Sequence, residues 1–497
     1  MFTARNIALL CCGFPAVLAA QSDVAFPPEV YAGRRERLMQ QVGGGAVVVP
    51  GAYLIANGGH DKQDPTFWYL TGVESPYAIL VIAPATEGRR REALFLPDAF
   101  QFAGAQYPMA DAQFRRAPWN LPIRRLSPGP AAARATGVSE TYPLSEFATR
   151  LRQLVASSDT AYVPMGATLF APPGVAAPLS FARQFAESLK ALLPGRVSAD
   201  VTPLVAKMRL IKDQHEIAAL RQAAEISAAS FREVLEALKP GMNDLEIAGL
   251  MEYVWKREGS PRAAFGPIVS SGSSAVSLFT LKSENYNSTD RVMHSGELVF
   301  IDYGAAEYHT YASDVCRTYP VSGRFTEEQR KYYEMVLEAQ EAAIAAVRPG
   351  VTMLEVIRAA ARVYQKHGLE QFEDVERMGV DRVWGVMPSP THYLARNGGL
   401  TAYSALGTGV RDLGHHIGLE ATDGRDYSQP LAPGMVFTIE PKLYIPEKGI
   451  AIMIEDMILV TSTGHENLSA AAPKTVEDIE SARRSAPPGA PFPWPPR

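Results

Sequence analysis

Cysteine is nearly absent. Three occur in 497 residues, and Cys11 and Cys12 both lie in an N-terminal apolar run. Removal of that run would leave Cys316 alone, so no intramolecular disulfide is available and stability must come from packed cores. Long hydrophobic runs are missing too. Past the N terminus no segment reaches the roughly eighteen consecutive apolar residues of a membrane span, which predicts a soluble mature protein with no membrane partner. Nor is there an excess of positive charge: 48 lysines and arginines stand against 53 acidic residues, a formal net charge of -5. The basic residues are scattered, which excludes the electrostatic footprint of a nucleic-acid binder.

What is present begins with residues 1–20. Arg5 precedes an apolar run from Ile7 to Leu18, followed by Ala19 and Ala20 ahead of Gln21-Ser22-Asp23. The order of basic, apolar and small residues predicts a cleavable signal peptide and an exported protein, periplasmic or secreted; the apolar stretch is short for a buried helix. The Leu9-Leu10 pair before Cys11 lacks the small residue of a lipoprotein cleavage site, which argues against a lipid anchor.

A chain of 497 residues with 47% hydrophobic and 20% charged residues is expected to form two globular domains. Over residues 27–200 short strands such as Ala46 to Val49, Ala78 to Ile82 and Ala93 to Leu96 alternate with helical stretches, the pattern of an α/β domain. Within it Ala103 to Ala135, rich in Pro, Ala and Arg, reads as a loop-heavy insertion. A second domain is expected over residues 205–475. The thirteen residues 485–497 hold six prolines and are expected to form an extended or disordered tail.

The second domain carries an internal repeat. Ile217, Leu220, Ala224, Phe231, Leu235 and Leu238 recur at helical spacing up to Pro240-Gly241, and a further helix opens at Asn243 with Glu246 in a capping-box arrangement. Lys239 to Ile247 is echoed by Arg348 to Val356, with Val254 answered by Val363 and Gly259 by Gly368. A helix start at Thr326 and Gln329 precedes the second copy. A second echo pairs Gly296 to Asp302 with Gly434 to Glu440, two apolar strands that each end in a carboxylate. Coincidence between two buried strands is the alternative; the shared order of both echoes favours duplication. Two α/β units packed face to face would bring Asp302 and Glu440 together near a pseudo-twofold axis.

Asp314 follows Asp302 after an expected hairpin turn, and Glu455 sits inside the apolar stretch Ile450 to Val460. Buried carboxylates are costly unless paired, hydrogen-bonded or bound to metal. Lys442 and Arg317 are candidate counter-charges, but basic residues nearby are too few to neutralise Asp302, Asp314, Glu440 and Glu455 together. Two divalent cations would match the four carboxylates charge for charge. A neutral His415, from Gly414-His415-His416-Ile417-Gly418, could complete the shell, and a bridging water would be acidified toward hydroxide.

These residues together resemble the creatinase/methionine-aminopeptidase superfamily, and within it the aminopeptidase P (Xaa-Pro aminopeptidase) and prolidase branch. The resemblance runs from Asp64 to Gly72, similar to the aminopeptidase P N-terminal domain, through Arg209-Leu210-Ile211-Lys212 to about Ser469. Its signatures are Ile301-Asp302-Tyr303-Gly304 with Ser313-Asp314, Gly414-His415, Ile439-Glu440-Pro441 with Leu443-Tyr444, and Ile454-Glu455-Asp456. It implies a creatinase-like N-terminal α/β domain followed by a duplicated α+β "pita-bread" catalytic domain, and a homo-oligomer, dimer or tetramer. It also implies two divalent ions, Mn2+ first, with Zn2+ or Co2+ as alternatives. Asp314 and Glu455 would bridge them, Asp302 would hold one, and His415 with Glu440 the other. A metal-bridging hydroxide would attack the peptide substrate at an N-terminal Xaa-Pro bond, with Glu440 as the catalytic carboxylate handling its proton.

The chain departs from that family where histidines are usual: Phe279, Thr422 and Arg411 stand at those positions, and Met453 replaces an arginine often found two residues before the last glutamate. One residue more than usual separates Asp302 from Asp314. Arg411, His416, His392 and Tyr444 are candidates for the missing substrate contacts, and Pro388 to Gly409 is expected to be an inserted loop over the site. The departures keep two alternatives open: a prolidase-type dipeptidase or hydrolase of altered specificity, and a metal-stabilised binding protein with weakened catalysis. A metal-free creatinase-like reaction is disfavoured, because it leans on the histidines that are replaced.

Overall fold

The computed structural model describes residues 24–52, 62–86, 89–97, 100–102, 105–107, 126–166, 174, 176, 179–194, 196–280, 290–367, 392–396, 399–402, 413–424, 429–445 and 448–485. The expected signal peptide and all of the proline-rich tail except Ser485 lie outside them. The chain forms two compact units. The first comprises Met1–Ala56, Phe67–Ala161 and Ala191–Val197, and the second holds the remainder.

The first unit is built on a mixed sheet. Its strands lie in the order Glu140–Pro143, Arg89–Leu96, Ile79–Thr86 and Ala46–Pro50. The three strands expected from the sequence are all present and fully buried along Val47–Val49, Leu80–Ile82 and Ala93–Leu96. Helix Pro28–Val42 brings Arg35 into the core, where it ion-pairs with Glu92 at 2.8 Å and donates to the Leu70 carbonyl at 2.9 Å. One expectation is corrected: the stretch read as loop-heavy ends in a helix, Pro130–Thr136, whose proline stands in the first turn where no backbone N–H is needed.

In the second unit helix Gln214–Ala237 packs against Asp244–Arg257, and Glu327–Ala346 against Met353–Lys366. All four begin with a complete capping box, at Asp213, Asn243, Thr326 and Thr352, in which side chain and backbone satisfy each other's free groups. The first of these, Asp213 with Glu216, was readable at the same spacing as the others.

Each helix pair accompanies an antiparallel strand pair. Leu298–Asp302 runs against Cys316–Pro320 with Asp302 opposite Cys316 and Ile301 opposite Arg317. Val436–Ile439 runs against Asp456–Val460 with Ile439 opposite Asp456. Since Ile301 corresponds to Ile439 in the repeat, Arg317 corresponds to Asp456, and these two residues meet. Arg317 donates through Nη2 to Asp456 Oδ1 at 2.6 Å and to the Ala472 carbonyl at 3.0 Å, and through Nη1 to the Cys316 carbonyl at 2.8 Å. Asp456 also accepts from Lys474 (2.8 Å), Asn467 (2.9 Å), Gln340 (3.2 Å) and Ser469 (2.8 Å). The halves are further joined by Glu455 N–H to the Cys316 carbonyl at 3.0 Å.

The segment expected as an inserted loop contains a hairpin instead, His392–Arg396 with Gly399–Ala402, whose first strand pairs in parallel with Lys442–Ile445. Its remaining residues are outside the described ones.

The Asp456 carboxyl is held well below the usual carboxylate range: burial alone would raise it, but Arg317 and Lys474 outweigh burial. A depressed folded-state value means stability that is complete above the unfolded Asp value, near about pH 4, and lost as pH falls below it. Asp456→Asn leaves Arg317 buried without its anion and should cost about 3–5 kcal/mol in urea unfolding at pH 7. The difference from the parent should shrink when the same melts are run toward pH 3.

Candidate metal centre

Asp302 ends its strand with its amide bonded to the Ile268 carbonyl at 2.8 Å, and the chain then turns through Gly304. A Cβ on Gly304 would lie 2.4 Å from the Val315 carbonyl oxygen, so only glycine allows the chain to pass close to the strand that follows Asp314. Between the two aspartates lies the expected hairpin, Glu307–Tyr308 with Tyr311–Ala312. Its two turn residues, His309 and Thr310, both take positive φ, 47° and 71°, as a two-residue hairpin turn of the primed type requires.

His415 approaches from the other half. Gly414 is required there because a Cβ would fall 1.9 Å from the Thr438 carbonyl oxygen. Thr438 then organises the local geometry. Its N–H donates to the His415 carbonyl at 2.8 Å, its hydroxyl accepts from the His415 N–H at 3.0 Å, and that hydroxyl donates to Glu440 Oε1 at 3.0 Å. With Nδ1 donating to the His416 carbonyl oxygen (3.3 Å), the His415 ring keeps the Nε2 lone pair for a ligand. Nε2 lies 3.4 Å from Asp314 Oδ2 and 3.5 Å from Glu440 Oε1.

The five residues expected as metal ligands are therefore brought together. Asp314, His415 and Glu455 each offer a ligand atom within 4.8 Å of the others. Asp302 and Glu440 join them electrostatically. The Asp302 carboxyl is pushed up to about 7 by burial and then by Glu440, and Glu455 is raised well above its ordinary value by burial and by Asp314, Glu440 and Asp302. Glu440 is the exception: burial alone would raise it, but Lys442 and then His415 hold it low.

The two counter-charges considered from the sequence divide accordingly. Arg317 answers Asp456, which is not among the five, whereas Lys442 Nζ donates to Glu440 Oε2. At Asp302 and Glu455 burial and the neighbouring carboxylates outweigh the Lys442 charge, and Glu455 Oε2 is buried with no hydrogen-bond partner among the described residues. Four buried carboxylates, one imidazole lone pair and an unsatisfied buried oxygen form a donor set that fits divalent cations of oxygen-ligand preference.

The residues considered for substrate contact are placed less fully. His416 is 1% exposed and sets its ring 6.1 Å from that of Phe437. Its pKa is pushed down to about 3, by burial first and then by Lys212. Tyr444 belongs to strand Lys442–Ile445 and His392 to its parallel neighbour, but their side chains, that of Phe279 and all of Arg411 are outside the described residues. Sequence reasoning missed Thr438, whose one available signal was a hydroxyl residue two before Glu440 in an otherwise apolar strand. It also gave no role to Asp456, although the Glu455-Asp456 pair stood in the motif.

Residues 218–462 match metallopeptidase family M24, and residues 31–163 match the aminopeptidase P N-terminal domain. The chain is 31% identical over 465 residues to Xaa-Pro aminopeptidase of Escherichia coli (strain K12), covering 90% of this chain and 96% of that one. It is 29% identical over 434 residues to human Xaa-Pro aminopeptidase 3, covering 84% and 76% respectively. Among solved structures, E. coli aminopeptidase P with the inhibitor Pro-Leu superposes with a TM-score of 0.71 at 29% identity, covering 93% of this chain and 99% of that chain. The duplicated catalytic unit is thus the pita-bread fold expected from the sequence, preceded by an aminopeptidase P N-terminal domain. Homology over nearly the whole length, joined to a converging carboxylate-imidazole site, makes this chain a member of metallopeptidase family M24, and a metallo-aminopeptidase of its aminopeptidase P branch.

Proposed function

We propose that this protein is an exported Xaa-Pro aminopeptidase that removes the N-terminal residue preceding proline, using two divalent metal ions held by Asp302, Asp314, His415, Glu440 and Glu455. The convergence of Asp314, Glu440 and Glu455 on the His415 imidazole, with Asp302 beside Glu440 and Glu455, carries the reading. Mn2+ is the favoured metal, since oxygen-rich ligation with a single imidazole suits a hard cation. When bound, such a pair supplies Lewis-acid polarisation of the scissile carbonyl and an acidified water as nucleophile.

The chain's own residues supply the rest. Glu440, oriented by the Thr438 hydroxyl and Lys442, is the group that takes and returns the proton as the peptide C–N bond breaks. The Nδ1 hydrogen bond of His415 fixes its ring so that Nε2 faces the carboxylates. Proline at the second position is supported by the relatives' names, and Pro-Leu, an inhibitor of the E. coli relative, begins with the residue that such a cleavage would leave exposed. Export is supported by the basic, apolar and small order of residues 1–20. Self-association into a dimer or tetramer rests on family resemblance.

Loaded with Mn2+, the protein should release a free N-terminal amino acid from Xaa-Pro-Xaa tripeptides. Chelation should abolish that release and Mn2+ should restore it. Cleavage confined to Xaa-Pro dipeptides would instead establish a prolidase. Glu440→Gln should lower kcat at least about a hundredfold with the fold intact by circular dichroism. Equal turnover in the variant would remove Glu440 from the proton-handling role.

A further inference from the structure

The strand that follows Glu440 carries a cation into the site. Lys442 has a side chain 5% exposed, and its Nζ donates to Glu440 Oε2 while the Thr438 hydroxyl donates to Oε1 at 3.0 Å. Glu440 is thus gripped at both oxygens. Two divalent ions alone match the four carboxylates, so the ammonium adds one positive charge beyond neutrality. It repels those ions and competes with them for Oε2, which makes it a poor choice for a purely structural residue. An extra positive charge is favourable when negative charge grows on the carbonyl oxygen of a peptide under attack.

We propose that Lys442 is a positioning residue of the reaction: it fixes the Glu440 carboxylate through Oε2 and keeps a positive charge beside the developing oxyanion, at the expense of metal affinity. The inference rests on the metallo-aminopeptidase reading above. The strand register also identifies a second position able to carry that charge. Lys442 lies opposite Met453 in the antiparallel pair Lys442–Ile445 with Ile450–Met453, so the two side chains leave the sheet on the same face. Met453 is itself fully buried, in a cluster with Phe300 and Cys316 from the strands flanking Asp302 and Asp314. A long cationic side chain at 453 therefore starts next to the same carboxylates.

The test compares the full-length parent with Lys442→Met, a neutral chain of similar length, and with the double variant Lys442→Met/Met453→Arg. Each is first melted thermally to establish folding, then titrated with Mn2+ by calorimetry and assayed on a Xaa-Pro-Xaa tripeptide. Lys442→Met should bind Mn2+ roughly tenfold more tightly while its kcat falls roughly tenfold to a hundredfold, and the double variant should return both values toward the parent's. Opposite movement of affinity and turnover is the signature, because a residue that merely supports the fold would lose both together. Weaker Mn2+ binding in Lys442→Met, or an unchanged kcat, would overturn the assignment. If Lys442→Met does not fold, the double variant decides: near-parental affinity and turnover uphold the role, and loss of both refutes it. A parent that neither binds Mn2+ nor cuts the peptide defeats the functional reading itself, whereas a competent parent with indifferent variants removes Lys442 alone.

Discussion

Four carboxylates cannot share a space closed to water unless positive charge is brought to them, and the second unit is organised around that requirement. Asp302, Asp314, Glu440 and Glu455 are all at least nine-tenths buried, and Lys442, which pairs with Glu440, does not offset burial and mutual repulsion at Asp302 and Glu455. Without cations the remaining charge would be relieved by protons, as the raised Asp302 and Glu455 carboxyls indicate. Divalent ions meet the same need while leaving the carboxylates ionised and the site chemically competent.

Convergence of the ligands follows from duplication. Each half delivers an apolar strand ending in an acid, and the antiparallel partner of each strand lies at the junction between halves. There Thr318 Oγ1 both accepts from the Met453 N–H and donates to the Met453 carbonyl, each at 3.1 Å, next to the bond from Glu455 N–H to Cys316. Directly behind the ligands, Asp456 collects five donors from four other segments. The cation site thus sits on a polar layer whose members are hydrogen-bonded to one another. Such a layer limits how far Glu455 can move, and a metal site tolerates little movement of its carboxylates.

The helical pattern, the capping boxes and the two echoes are legible in the sequence because each depends on spacing within a short window. The acids are legible for a different reason: an Asp or Glu closing a run such as Val299-Phe300-Ile301 is too costly to be accidental. Harder to read are contacts set by tertiary packing. Thr438 looks like an ordinary strand threonine until His415 is laid beside it, and Gln340 shows no sign of reaching the Ile454 carbonyl and Asp456 from a helix 114 residues away. The hairpin at His392 hides in a stretch rich in Gly, Ser and Thr, whose composition suggests loop, because its first strand is held by pairing with Lys442–Ile445 rather than by its own propensity. Lys442 was visible as a basic residue near an acid, but which acid it serves depends on side-chain direction.

The meeting of Arg317 with Asp456 has a historical meaning. Two identical subunits related by a twofold axis present the same residue to each other at matching positions, so an arginine would face an arginine and an aspartate an aspartate. Opposite charges at matching positions are available only once both copies reside on one polypeptide and each can change independently. This ion pair therefore marks the halves as no longer interchangeable: neither could be replaced by a second copy of the other without setting like charges together in the core.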